Sequence, residues 1–253
     1  MKQKLKLLAV IFLSLSNLIE AATITLRADT WCPFNCDPSS KHPGYMIEIA
    51  REIFAKAGHK IDYQILNWAR AKQEAKEGKY DGIVGAYKED APGFIFPDIE
   101  TGRSTNILFA KTGEKWRYKG VESLKNVKIG VIKEYSYDNT TNKLLAENNP
   151  SFLVMTGEDA LDKLIKMLDA GRITAFYEDP GVASFRLKQL GFNEAKFEKI
   201  GAIEQYTAEV YIAFSPAKST SKAYAELLSQ GMKELKKSGR IAQILSHYGL
   251  KEF

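Results

Sequence analysis

Apolar and polar positions alternate in two recurring rhythms along the chain, and together they predict a repeated strand–helix order. Ile24, Leu26 and Ala28 recur every second residue, which predicts a strand over Thr23 to Ala28. Met46, Ile49, Ile53 and Ala57 share one face of a predicted helix opened by Gly44-Tyr45 and stopped by Gly58. Ile61, Tyr63 and Ile65 alternate again as a second strand. Trp68, Ala71 and Ala75 then fall at spacings of three and four, with Gly78 where a C-terminal cap belongs. Asp81-Gly82 turns the chain into an uncharged run to Tyr87, as expected of a buried parallel strand.

The same order returns further on. Strands are predicted over Val127 to Ile132, Phe152 to Met155 and Ile173 to Tyr177. They alternate with helices over Tyr137 to Asn148 and Glu158 to Ala170. In the latter helix Leu161, Leu164, Ile165 and Leu168 lie on one face, and Gly171 caps it. Such alternation implies right-handed crossovers and parallel sheets, and its repetition implies two similar lobes. Between the units lies Asn106 to Ala110. After them come Val210 to Phe214 and two helices, Ser221 to Lys237 and Gly239 to Tyr248.

The N-terminus does not fit this rhythm. Lys2, Lys4 and Lys6 precede an apolar run from Leu7 to Leu18 and a small-residue site at Ala21-Ala22, the pattern of a cleavable secretory leader over residues 1–21. The run is short for a bilayer span. The expected protein is therefore exported to the periplasm. The formal net charge is +5, and losing three lysines and one glutamate with the leader lowers it to about +3. That mild excess argues against a nucleic-acid partner.

Both cysteines lie in WCPFNC, and in an oxidising compartment Cys32 and Cys36 are most simply a disulfide closing a small loop. A metal reading that recruits His42 is the weaker alternative, since His42, His59 and His247 are scattered along the chain. No metal and no cofactor are expected.

Asn67-Trp-Ala-Arg70 opening a helix, Gly78-Lys-Tyr-Asp-Gly82 turning into a strand, and a loop ending in Phe96-Pro97 together resemble the bacterial extracellular solute-binding proteins of family 3. The resemblance implies an α/β, two-lobed periplasmic-binding-protein fold of type II. Each lobe would be a mainly parallel sheet flanked by helices, with a ligand cleft between the lobes. It implies lobe 1 over residues 22–108 plus 214–253, lobe 2 over residues 109–213, and hinge strands at both crossings. It also implies a monomer that captures a small polar solute, an amino acid, a derivative or a related organic anion, and delivers it to an ABC permease.

In amino-acid-binding members an arginine after the third strand and a Gly-Ser/Thr helix start grip the α-carboxylate, and an acid in lobe 2 takes the ammonium. Here Glu89-Asp90-Ala91-Pro92-Gly93 stands where that arginine belongs. Arg70 and Arg103 are the substitutes nearest the predicted cleft. Ser136 and Tyr137 occupy the helix start, whose backbone N–H groups would favour an anion. Ser136 serves equally as an ordinary N-cap. Asp179, in Glu178-Asp179-Pro180, matches the acidic position and alternatively shapes a turn. Trp31, Tyr45 and Trp68 follow strand ends and are expected as aromatic cleft walls.

Two further functions compete. An enzyme on this fold, like the related cyclohexadienyl dehydratases, needs a buried general acid, for which Glu134 or Glu178 is available. A sensory module that reports ligand to a membrane partner is the other.

Overall fold

The computed structural model describes residues 21–251, so the expected leader falls almost wholly outside the described residues. Two five-stranded mixed sheets form the two lobes. In lobe 1, β1 (Thr23–Ala28) is flanked by parallel β2 (Lys60–Ile65) and β3 (Gly82–Ala86). Beyond β3 runs an antiparallel strand that also pairs the edge strand β4 (Gly102–Thr105). Lobe 2 repeats the plan. The strand β5 (Ile107–Lys111) lies antiparallel to its neighbours, and β6 (Ile129–Ile132) sits between parallel β7 (Phe152–Met155) and β8 (Ala175–Glu178). The edge strand β9 (Phe197–Lys199) completes it. The antiparallel strand of lobe 1 is β10 (Thr207–Phe214), which returns from lobe 2.

The crossings differ from expectation. Only Asn106 separates β4 from β5, and the return runs between Lys199 and Thr207. Thus β5 belongs wholly to the second sheet and β10 wholly to the first, instead of changing lobe at 108 and 214. Each is paired on both edges within one sheet, which a strand divided between two sheets does not achieve. The short, polar strands β4 and β9 carry too little apolar periodicity to be read beforehand.

Helices cover both faces of both sheets. In lobe 1, α1 (Tyr45–Lys56) packs with the C-terminal helices on one face, and α2 (Trp68–Lys76) lies on the other. The strand serves both layers: Val84 faces the α1 core and Ile83 faces Trp68, Ala71 and Ala75, and the break in alternation at Gly85, with φ of 90° and a register shift against the neighbouring strand, turns Ala86 to the same side as Ile83. In lobe 2, α3 (Asn139–Ala146) covers one face and α4 (Ala160–Asp169) with α5 (Pro180–Gln189) the other. The C-terminal helices are α6 (Ser221–Lys237) and α7 (Arg240–Ser246). None of the described helices is long and apolar enough to cross a membrane.

The helix α3 is shorter than its predicted span because Asp138 caps it, accepting from Thr141 N at 2.8 Å. One glycine is compelled by its surroundings. Gly44, with φ of 108°, holds its α-carbon so close to Asn35 that a Cβ would sit 2.4 Å from the Asn35 Cα. This approach locks the loop after β1 onto the start of α1.

Candidate functional site

The carboxyl ends of β1, β3 and β6 meet between the lobes, where open α/β sheets place their ligand crevices. Here they line a small pocket with a cavity volume of ≈ 20 Å³. Lobe 1 lines it with Asp29, Trp31, Asn35, Trp68, Tyr87 and Asp90, over a floor of Val84 and Gly85. Tyr135 and Ser136 close it from lobe 2.

The loop after β1 builds one wall of this space through local bonds. Trp31 and Asn35 exchange backbone hydrogen bonds at 2.9 and 3.2 Å, and the predicted Cys32–Cys36 disulfide ties the ring beneath them, with Cα atoms 4.5 Å apart. Asn35 Nδ2 donates to the Asp29 carbonyl at 2.5 Å, while its Oδ1 is buried without a partner. The Trp31 ring stacks on Phe34 at 3.9 Å and meets Tyr87 edge-on at 6.4 Å.

Several contacts draw the lobes together around the cavity. The Tyr135 hydroxyl donates to Asp29 Oδ2 at 2.5 Å, and Trp31 Nε1 donates to Glu178 Oε1 at 3.1 Å. Lys72 Nζ reaches the Glu134 carbonyl at 3.3 Å, and Ser104 Oγ donates to Asp179 Oδ2 at 2.9 Å.

The electrostatics are those of buried acids, with Lys72 opposing the rise of Asp29 and Asp90. Desolvation pushes the Asp29 carboxyl up to about 6, against the lowering effect of the Tyr135 bond. Asp90 is pushed up to about 6 by the same cause, with Lys72 opposing. Glu178, 2 % exposed, is pushed up to about 8 by burial. Among the described residues, no arginine or lysine lines the cavity.

Of the residues singled out by sequence, Trp31, Trp68 and Ser136 line this space. Tyr45 does not. It is buried beneath the wall, tilted against Phe34 at 5.1 Å, because it faces the lobe 1 core from the first turn of α1. Tyr137 is likewise in the core of lobe 2, stacked on Tyr177 at 5.7 Å, its hydroxyl accepting from Ile132 N at 2.8 Å.

Arg70 points to solvent and pairs with Glu74 at 2.7 Å. It follows Trp68 by two residues, so once Trp68 is buried Arg70 faces the opposite way. Arg103 pairs on the surface with Glu100 at 3.1 Å. Asp179 caps α5, accepting from Gly181 N and Val182 N at 2.8 and 3.2 Å, and its other oxygen takes Ser104 Oγ and Thr105 N.

The expected anion site at the start of α3 is met from within: Asp138 takes Thr141 N, and Glu204 takes Thr140 N at 3.1 Å. Asp29, Asn35, Tyr87 and Asp90 are not among the residues the sequence singles out for the site, and Tyr135 is legible there only as one more aromatic at the predicted rim. Their signal was position, since each lies in a loop leaving a strand's carboxyl end.

The family model of the bacterial extracellular solute-binding proteins, family 3, matches residues 24–251. No curated protein matches the chain. Among solved structures, an amino acid ABC transporter substrate-binding protein from Streptococcus pneumoniae bound to L-arginine is similar at 20% identity and a TM-score of 0.69, over 90% of this chain and 94% of that one. A histidine kinase sensor domain with similarity to periplasmic binding proteins is similar at 18% identity and a TM-score of 0.72, over 89% and 95%. An ancestral amino acid-binding protein, described as a precursor of cyclohexadienyl dehydratase, is similar at 17% identity and a TM-score of 0.66, over 89% and 95%. At these identities the likeness is one of fold.

Proposed function

The chain belongs to the bacterial extracellular solute-binding proteins of family 3, and from that premise we propose that it captures a small solute bearing a cationic group. The solute is an amine, a guanidine or a basic amino acid, held in the periplasm and handed to an ABC importer. The observation that carries this reading is the pairing of Asp29 and Asp90 with Trp31, Trp68, Tyr87 and Tyr135 around one cavity that no arginine or lysine among the described residues lines. A bound cation lets both carboxyls ionise, and the ring faces attract it further. Asn35 Oδ1, buried without a partner, offers an acceptor for an N–H of the same group. Among the neighbours, the Streptococcus pneumoniae protein holds L-arginine and serves an ABC transporter by its own description. Hinge motion at Asn106 and at the return segment before β10 suits capture by closure.

The test is a thermal-shift and calorimetric comparison of basic amino acids, polyamines and quaternary amines against acidic and neutral amino acids. Binding confined to cationic solutes, and weakened roughly tenfold or more by Asp90→Asn, supports the reading. Stabilisation by acidic solutes alone overturns it.

A second reading has one observation in its favour. Burial pushes the Glu178 carboxyl up to about 8 and its Oε2 has no partner, as a general acid for an eliminating enzyme requires. It does not line the cavity, and its Oε1 is held by Trp31, so the binding reading stands first. Formation of an aromatic product from prephenate or arogenate, lost in Glu178→Gln, would reverse that order.

A further inference from the structure

On the outer side of lobe 1, away from the residues lining the cleft cavity, the fold gathers His42, Glu48 and His247. His42 lies in the loop that leads from the disulfide into α1, Glu48 in the first turn of α1, and His247 at the end of α7. His42 Nδ1 stands 3.0 Å from Glu48 Oε1, and His247 Nδ1 stands 3.3 Å from Glu48 Oε2. The two imidazole rings are 4.9 Å apart between centroids. One ligand atom from each residue lies within 4.8 Å of the others.

We propose that this cluster is a binding site for a divalent first-row transition ion of the zinc type, held by both imidazole Nδ1 atoms and the Glu48 carboxylate. A tetrahedral zinc with bonds of about 2.0–2.1 Å sets its ligands roughly 3.3 Å apart, and each imidazole stands near that distance from one of the two Glu48 oxygens. Two imidazoles and one carboxylate suit zinc, copper or nickel better than calcium or magnesium, which take oxygen ligands.

The outer contacts hold the carboxylate in place. The Tyr248 hydroxyl donates to Glu48 Oε1 at 2.6 Å and accepts from Gly44 N at 2.9 Å, so the ligand's position is tied to the backbone at the start of α1. Side-chain exposures of 37% for His42 and 40% for His247 leave an approach from solvent, with a coordination position open to water. The site borders a wide surface depression that also includes Cys32, Cys36 and Asp37. A bound ion displaces the Nδ1 protons that otherwise bridge to Glu48. It joins the end of α7 to the loop that continues from the Trp31 wall, two segments far apart in sequence.

The experiment is a titration of chelator-stripped protein with Zn²⁺ by calorimetry and with Co²⁺ by visible absorption. One ion per chain is expected, with tetrahedral Co²⁺ bands and a raised melting temperature. Each of His42→Ala, His247→Ala and Glu48→Gln is expected to weaken binding roughly tenfold or more. Should an alanine variant fail to fold, His42→Gln and His247→Gln keep a polar side chain there and are judged once their metal-free melting temperatures match the parent's. Absent or substoichiometric binding, or folded variants that bind as the parent does, overturns the proposal. Neither result bears on solute capture, which is read separately in the cleft.

Discussion

Trp31 and Glu178 meet across the cleft, the indole Nε1 of one lobe donating to the carboxyl Oε1 of the other at 3.1 Å, with both side chains buried. Asp179 N donates to the same Oε1 at 2.8 Å, so in the protonated acid the proton belongs on Oε2. The bond closes the lobes only when both partners are present. Trp31→Phe and Glu178→Leu, which remove the donor and the acceptor, are each expected to weaken closure, by roughly 1 kcal/mol of pairwise coupling in a double-mutant cycle. Solute affinity and small-angle scattering check this, and strictly additive effects of the two changes would refute the clasp.

Glu178 also sets a pH dependence. Its folded value of about 8 lies above the ordinary 4.5, because burial disfavours the charged form. The group's contribution to stability is therefore fully present below about 4.5 and is lost as pH rises through about 8. Urea denaturation of the solute-free protein is expected to show stability falling across that window, by on the order of a few kcal/mol. Glu178→Gln is expected to flatten the profile, and an unchanged slope in that variant would assign the effect elsewhere.

Cationic solute binding should run the opposite way. Asp29 and Asp90, each pushed up to about 6, must lose their protons to hold a cation. Affinity is expected to rise with pH through about 6, up to roughly tenfold per unit for each carboxyl titrating, and to level off above it. Calorimetry from pH 5 to 8 reads this directly. Lys72 and Tyr135 face Asp29, and Lys72 and Glu89 influence Asp90, so Lys72→Met is expected to move the rise to higher pH.

Asp179 serves the scaffold through four donors, two at the start of α5 and two on β4. Asp179→Ala is expected to cost roughly 2–4 kcal/mol, the loss of a helix cap plus buried donors left unmet. Asp179→Asn, which keeps one acceptor, should cost less. Equal losses in the two variants would show that the hydrogen bonds are not the reason.

The Cys32–Cys36 bridge closes a loop of sequence separation 4. Cys32→Ser/Cys36→Ser is expected to lose about 2 kcal/mol of stability through the freed unfolded chain. The Trp31–Asn35 ring should loosen with it, so solute affinity should fall as well. Stability lost with affinity unchanged would separate the bridge from the cleft wall.

Much of the architecture was legible in the residue order, because apolar periodicity is a local property. The spacing of Met46, Ile49 and Ile53 and the alternation of Ile24 and Leu26 suffice to orient each element towards a core. Two lobes, the disulfide, and the placing of Trp31, Trp68 and Ser136 near strand ends followed from that pattern and from the family resemblance.

What tertiary structure alone decided is where side chains at those ends turn and whom they meet. Tyr45 and Trp68 both begin helices after strands, yet one lies in the core and the other lines the cavity, according to the layer packed above each. Asp138 and Glu204 occupy N–H groups that the sequence offered to an anion. His42 and His247 looked scattered; His42 meets Glu48 locally, and only the packing of α7 against α1 brings His247 to the same carboxylate. Contacts of that range depend on how whole elements dock, and the periodicity of a single segment carries no information about its distant partner.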